Sequence, residues 1–345
     1  MKTKKMILRN MERAYTTSFF EIGGINYIFF ASESTPGIPG EAYAYPIHDL
    51  NHPECIWNDA GGCMSIIKDP LDCDSLFAIQ NFYLKENPSN AKIVRIKRYK
   101  KNVWKVIDSF YLPLVHRIGI LTEKDQYYMI ACTVAKSKEN KDDWSQAGEV
   151  WFSKLDKENF SFDFKRIYSG MYKNHGFYQF IEKGKDYICI GTDNGAYTLS
   201  VKNSQLKINK ILEGKIGEIA LEDINDDGKL ELISIEPFHG NQIKIYQKNN
   251  IDKYHVVWKY QDNVEFAHAL SGSIILSKKS FIVGVRKGNG ALFTITFDKR
   301  KYSVNKIDEH GGPANLCAFH HNQKDYIACA NHTSNQCVLY EIIRE

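Results

Sequence analysis

One phrase recurs along this chain and constrains its fold more than any other feature. Gly184-Lys-Asp-Tyr-Ile-Cys-Ile-Gly-Thr192 returns as Asn322-Gln-Lys-Asp-Tyr-Ile-Ala-Cys-Ala-Asn331, a polar turn followed by a short apolar strand. Weaker copies run over Glu123–Thr133, Lys278–Arg286, Asp227–Glu236 and Gly24–Ser32. Copies recurring every ~40–60 residues have the period of propeller blades. Helical period is nearly absent. The spacing predicts an all-β chain: a seven-bladed β-propeller with few helices.

Each blade should hold four antiparallel strands, the first lining the central channel. Taking the repeat phrase as the second strand divides the chain into blades over 15–60, 61–112, 113–170, 171–214, 215–262 and 263–309, with a last blade from 310 to 345. That blade offers three strands, and Lys5–Asn10 supplies the fourth, closing the ring and covering two edges that would otherwise leave backbone groups unpaired. All 345 residues then form one domain.

Composition excludes several classes. A hydrophobic content of 43% with 25% charged residues is that of an ordinary globular chain. The formal charge of +4 is spread thinly, and Lys97-Arg-Tyr-Lys-Lys101 lies beside acidic turns, which points away from nucleic acid. Arg9, Glu12 and Arg13 interrupt any secretory apolar segment, and no stretch approaches the ~20 apolar residues of a membrane span. The eight Cys include no CxxC pair and fall mostly inside apolar strand phrases, as small buried hydrophobes do. The expected setting is cytoplasmic.

Three histidines stand at one level of the aligned first strands: His116, His175 and His268. Gly61-Gly62, Gly217 and Gly311-Gly312 take that level in blades two, five and seven and leave space beside the imidazoles. Three His converging on a channel suit a divalent metal, zinc, manganese or iron, with positions open for water or substrate. The alternative is that one or more of these imidazoles merely hydrogen-bonds to the neighbouring blade. Turns after the second strands add a rim of Glu33, Asn81, Lys136, Asp193, Glu236 with His239, Arg286 with Lys287, and Asn331 with His332. Such a ring facing a cavity would bind a polar ligand.

Asp223-Ile-Asn-Asp-Asp-Gly-Lys-Leu-Glu231 spaces oxygen groups two residues apart around a Gly, as the first half of a calcium loop does. It resembles the blade turn of FG-GAP/VCBS repeats, which implies Ca²⁺ held by Asp223, Asn225, Asp227 and Glu231 with the Lys229 carbonyl. The competing reading is a metal-free turn whose carboxylates cap their own backbone.

Glu236-Pro-Phe-His-Gly240, Phe266-Ala-His-Ala269 with Val285-Arg-Lys-Gly288, and His310-Gly-Gly-Pro-Ala-Asn315 together resemble the propeller portion of aldos-2-ulose dehydratase, over blades three to seven. The resemblance implies a metal-bearing channel that eliminates a β-substituent from a sugar. The expected activity is a sugar or sugar-acid lyase, dehydratase or isomerase working by α-proton abstraction. Its ligand is a small carbohydrate; nucleic acid and membranes are not expected partners. His239 or His332 would be the base, and Arg286 or Lys136 would pair with a carboxylate. Glu236 is a further catalytic candidate, and Glu33, Asn81, Asp193, His310 and Asn315 are candidate ligand contacts. Oligogalacturonide lyase shows that a propeller with a His-bound metal suits such chemistry. The rival is a non-catalytic propeller that binds a glycan or protein through its rim. A glycoside hydrolase would need Glu33 and Glu236 to face each other.

Overall fold

The structure is a computed structural model describing residues 2–82, 88–156 and 161–344. Among them the chain forms seven four-stranded antiparallel sheets arranged as the blades of a propeller. Blade one comprises Ala14–Ile22, Ile25–Ser32, Ala42–Pro46 and Glu54–Trp57, and the same up-and-down order repeats to blade six, which ends at Lys301–Asp308. In blade seven Pro313–His321, Lys324–Asn331 and Gln336–Ile343 are completed by Lys2–Asn10. That strand pairs antiparallel with Gln336–Ile343, from Lys2 opposite Ile343 to Asn10 opposite Gln336. The closing strand is three residues longer than Lys5–Asn10, because Lys2 to Lys4 still find backbone partners. Helix among the described residues is confined to a 3₁₀ turn at Pro88–Asn90, and none is long and apolar enough to cross a membrane.

The repeat phrase is apolar without alternation because its strand is covered on both faces. Tyr27 through Ala31 and Ile327 through Ala330 are fully buried. Their alternate side chains enter different interfaces: Phe29 packs towards blade two and Phe30 towards blade seven. The core is accordingly a set of seven apolar clusters, one between each neighbouring pair of blades. Cys132, Cys189, Cys329 and Cys337 fill these seams as free thiols. Burial raises their pKa values, keeping them neutral and inert.

Candidate functional site

The same backbone device recurs at the start of the first strand in five of the seven blades. Arg13, Leu114, Lys173, Phe266 and Gly312 take left-handed φ values of 55°, 59°, 48°, 58° and 68°. Two residues further on stand Tyr15, His116, His175, His268 and Ala314. In blades one, three, six and seven the ladder slips at that residue: Ala14 faces Ser32 while Thr16 faces Ala31, and likewise around His116, His268 and Ala314. A bulge leaves its extra residue unpaired and re-aims its side chain. Here it turns an imidazole or phenol inward.

The inward side chains meet around the Tyr15 hydroxyl. Its oxygen lies 3.4 Å from His116 Nε2, 3.5 Å from His175 Nε2 and 3.4 Å from His268 Nε2. All four residues are buried. A fourth imidazole, His239, descends from the loop after the second strand of blade five. Its ring lies 4.9 Å from that of His175 and 4.8 Å from that of His268. One ring nitrogen from each of His175, His239 and His268 lies within 4.8 Å of the others. His116 is outside that group of three and packs its ring 4.4 Å from His175. His239 therefore stands in the imidazole cluster rather than beside it as a separate base, because the Pro237-Phe238-His239 loop folds inward across the channel.

These nitrogens suit a metal. Burial first, then neighbouring His and Arg groups, lowers the pKa of His116, His175, His239 and His268 well below the usual imidazole value. All four are neutral, the form that ligates. His268 Nδ1 donates to the Ala314 carbonyl at 2.7 Å, which turns the Nε2 lone pair towards the axis. A Glu218 carboxyl oxygen lies against His175 Nδ1 without the geometry of a hydrogen bond. Burial pushes Glu218 up to about 8, opposed by Arg117. His116 Nδ1, His175 Nδ1 and His239 Nε2 are buried with no hydrogen-bond partner among the described residues. Orphaned buried nitrogens of this kind are uncommon in native proteins.

Above the imidazoles opens a cavity of about 1050 Å³. Tyr15, Met64, His116 and His175 line it near the axis, and Phe82, Trp144, Phe238 and Phe266 give it aromatic walls. Its polar side is a cluster on one oxygen, Glu33 Oε2, which accepts from Arg13, lies 2.9 Å from His332 Nε2 and is 3.6 Å from Arg286. Arg286 also reaches His332 Nε2 at 2.6 Å, so the imidazole tautomer decides which contact is the hydrogen bond. Burial alone would raise the Glu33 pKa, but His332, Arg286 and Arg13 bring it down to about 2. Arg286 and Lys287 sit over the Phe266 ring at 5.3 and 4.9 Å.

Other sequence candidates lie elsewhere. Lys136 is exposed and does not line the cavity; its insertion delivers Trp144, Lys141 and Asp142 instead. Glu236 accepts from Ser234, Lys244 and Tyr246 within its own sheet and does not face Glu33 across the cavity, so the two-carboxylate arrangement is not formed. Asp193 pairs with Lys173 at 3.1 Å, and Asn315 Oδ1 accepts from the Leu316 amide at 2.7 Å. Asn81 bonds through its backbone to Ala60, leaving Phe82 to face the cavity, and His310 is exposed. Asn331 is buried beside Gly311. Sequence reasoning missed Tyr15, whose Ala-Tyr-Thr context matches Val-His-Arg and Ala-His-Ala at the same strand start. It also missed Trp144, the one aromatic residue in a charged insertion.

The Asp223–Glu231 turn is closed on itself. Asp223 accepts from the amides of Asp227 at 3.0 Å and Gly228 at 3.2 Å, and Asp227 accepts from Lys229 at 2.9 Å. Glu231 accepts from the Ile224 amide and from Asn225 Nδ2, both at 3.1 Å. Lys279 Nζ lies 2.7 Å from both Asp223 and Asp226, where a bound cation would compete with it. These are the backbone-capping contacts that the competing reading of the turn describes.

No known protein family's sequence profile matches the chain, and no curated protein sequence matches it. Among solved structures it is similar to the crystal structure of Sqt1 from Saccharomyces cerevisiae, with a TM-score of 0.59 at 9% identity, covering 96% of this chain and 84% of that one. At that identity the likeness carries the β-propeller fold alone.

Proposed function

We propose that this propeller is a metal-dependent lyase, dehydratase or isomerase acting on a sugar or sugar acid in its central channel. The observation that carries the reading is the group of neutral ring nitrogens of His175, His239 and His268 within 4.8 Å of one another, beside a cavity of about 1050 Å³. That volume is at the upper end of the ~300–1,000 Å³ of small-molecule sites. A divalent ion held there, with His116 alongside, would polarise a carbonyl or carboxylate oxygen of the ligand. Arg286 and Lys287 supply positive charge for an acid group, and the aromatic walls suit the apolar faces of a sugar ring. His332 is the base this reading favours, since it lines the cavity, is neutral and stands outside the imidazole group. The reaction class rests on the resemblance of Glu236–Gly240, Phe266–Ala269 and His310–Asn315 to aldos-2-ulose dehydratase.

Elemental analysis of the purified protein tests the reading first. One equivalent of a transition ion that is lost in His175→Ala, together with turnover of ketoses, uronates or short uronate oligosaccharides, is expected. Absence of bound ion after incubation with zinc, manganese and iron would favour the second reading, a binding module for a glycan or protein. One observation favours that second reading unless Tyr15 itself ligates: its hydroxyl lies among the imidazoles, 3.4 to 3.5 Å from three Nε2 atoms.

A further inference from the structure

The Tyr15 oxygen is in an unusual place for a hydrogen-bond donor. It has one proton, yet three Nε2 atoms surround it at 3.4 to 3.5 Å, and the Ala314 carbonyl fixes the lone pair of His268 on Nε2. Those separations exceed the ~2.7–3.2 Å of good hydrogen bonds. They are close to a different standard length. An ion bound tetrahedrally at ~2.0–2.1 Å holds its ligand atoms about 3.3–3.4 Å from each other. Tyr15 thus stands one coordination edge from each of three imidazoles, two of which, His175 and His268, also belong to the group of nitrogens nearest one another.

We infer that Tyr15 is itself a metal ligand, binding through its phenol oxygen beside His175 and His268. The inference rests on the metal reading above and adds an anionic oxygen donor to an otherwise neutral nitrogen set. Binding the ion forms the metal–oxygen bond and breaks the O–H bond, and the proton leaves through the cavity that Tyr15 lines. A phenolate offsets one of the two charges of a divalent ion, which matters where burial penalises net charge. It also favours harder or higher-valent ions such as iron over an all-nitrogen set. The bulge that aims Tyr15 is the same one that aims His116 and His268, so the backbone treats the phenol and the imidazoles as equivalent members of one ring.

Copper(II) is the probe, because a phenolate bound to it gives a visible charge-transfer band that imidazole alone does not. The full-length protein, stripped with chelator, is titrated with Cu²⁺, following bound copper by elemental analysis and the visible spectrum in parallel. The wild type should take one equivalent and show the band. Tyr15→Phe should still take copper, at least about tenfold more weakly, and show no band. His268→Ala, which keeps the phenol, should lose both copper and band, locating the signal in the channel. Copper bound by the wild type without the band, or a full band in Tyr15→Phe, would overturn the inference while leaving the histidine site standing. A wild type that takes no copper overturns both.

Discussion

The channel and the Asp223–Glu231 turn each gather atoms suited to a cation, and they differ in what those atoms already touch. In the turn all six carboxylate oxygens of Asp223, Asp227 and Glu231 have a donor, drawn from four backbone amides, Asn225, Gln247 or Lys279. In the channel His116 Nδ1 and His239 Nε2 have none among the described residues, and three Nε2 atoms share one hydroxyl. The turn is local in sequence, so its own backbone reaches its side chains at little cost in chain entropy. The channel draws on residues as far apart as Tyr15 and His268 and is assembled only when the ring closes. A compact motif can satisfy itself; a convergent one keeps its donors free.

Opening the ring should separate the two regions most sharply. Deleting residues 1–11 removes the strand paired with Gln336–Ile343 and the side chains of Met6, Leu8 and fully buried Met11. With roughly 1.5–3 kcal/mol for each well-buried apolar side chain, the loss is on the order of 5 kcal/mol, a large share of a domain's stability. The melting temperature should fall steeply and channel metal should disappear, while calcium response at the turn stays as in the full chain. A truncated protein that melts unchanged would show that the ring does not depend on this closure.

Next in size is the ligand set. His268→Ala should weaken channel metal binding by more than about a hundredfold, and Glu218→Gln by about tenfold, since Glu218 lies against His175 Nδ1 without ligating. Asp227→Ala should leave channel metal untouched. Metal content measured on the three variants decides whether the two regions are independent.

Acid titration gives a smaller effect. The Glu33 carboxyl is held at about 2 in the folded protein, below its ordinary 4.5. A depressed carboxylate stabilises the fold fully above its unfolded pKa, and that contribution fades as pH falls through the folded value. Wild type should therefore exceed Glu33→Gln in stability at pH 7 by up to about 3 kcal/mol, narrowing between pH ~4.5 and ~2. Equal denaturant midpoints across that range would show that the Arg13–His332–Arg286 cluster does not bind Glu33 in solution.

How far the sequence revealed this site follows from the distances involved. Strand positions were legible: the repeat phrase fixes the second strands, and counting back puts His116, His175 and His268 at one level. Tyr15 hid because its side chain differs in kind, although the Gly24–Ser32 copy follows it at the same spacing and the left-handed residue two places earlier is shared. Loop residues were less legible. His239 and Glu236 belong to one turn, yet the first swings over the channel and the second is captured by Lys244 and Tyr246 on the next strand. Polarity alone marks both as rim residues; only the loop conformation sends one inward. Lys136 and Trp144 show the same limit, since the path of the insertion, held by Asp143 accepting from Glu139 and Ser145, decides which of them meets the cavity.

The smallest effect belongs to the turn. For calcium to enter, it must displace Lys279 from Asp223 and Asp226 and break amide hydrogen bonds that already serve the same oxygens. That competition predicts weak binding. With an affinity near 10 mM, adding 1 mM calcium stabilises the fold by only about 0.06 kcal/mol, a shift in melting temperature too small to resolve. Lys279→Ala removes the competing ammonium and leaves Asp223 and Asp226 facing each other, so this variant should gain a calcium response that the wild type lacks. Thermal melts of chelator-treated wild type, Lys279→Ala and Asp227→Ala, each with and without calcium, make the test. A rise of several degrees in the wild type, abolished in Asp227→Ala, would mean that the turn opens for the ion and that the contrast with the channel is one of metal type rather than of metal against none.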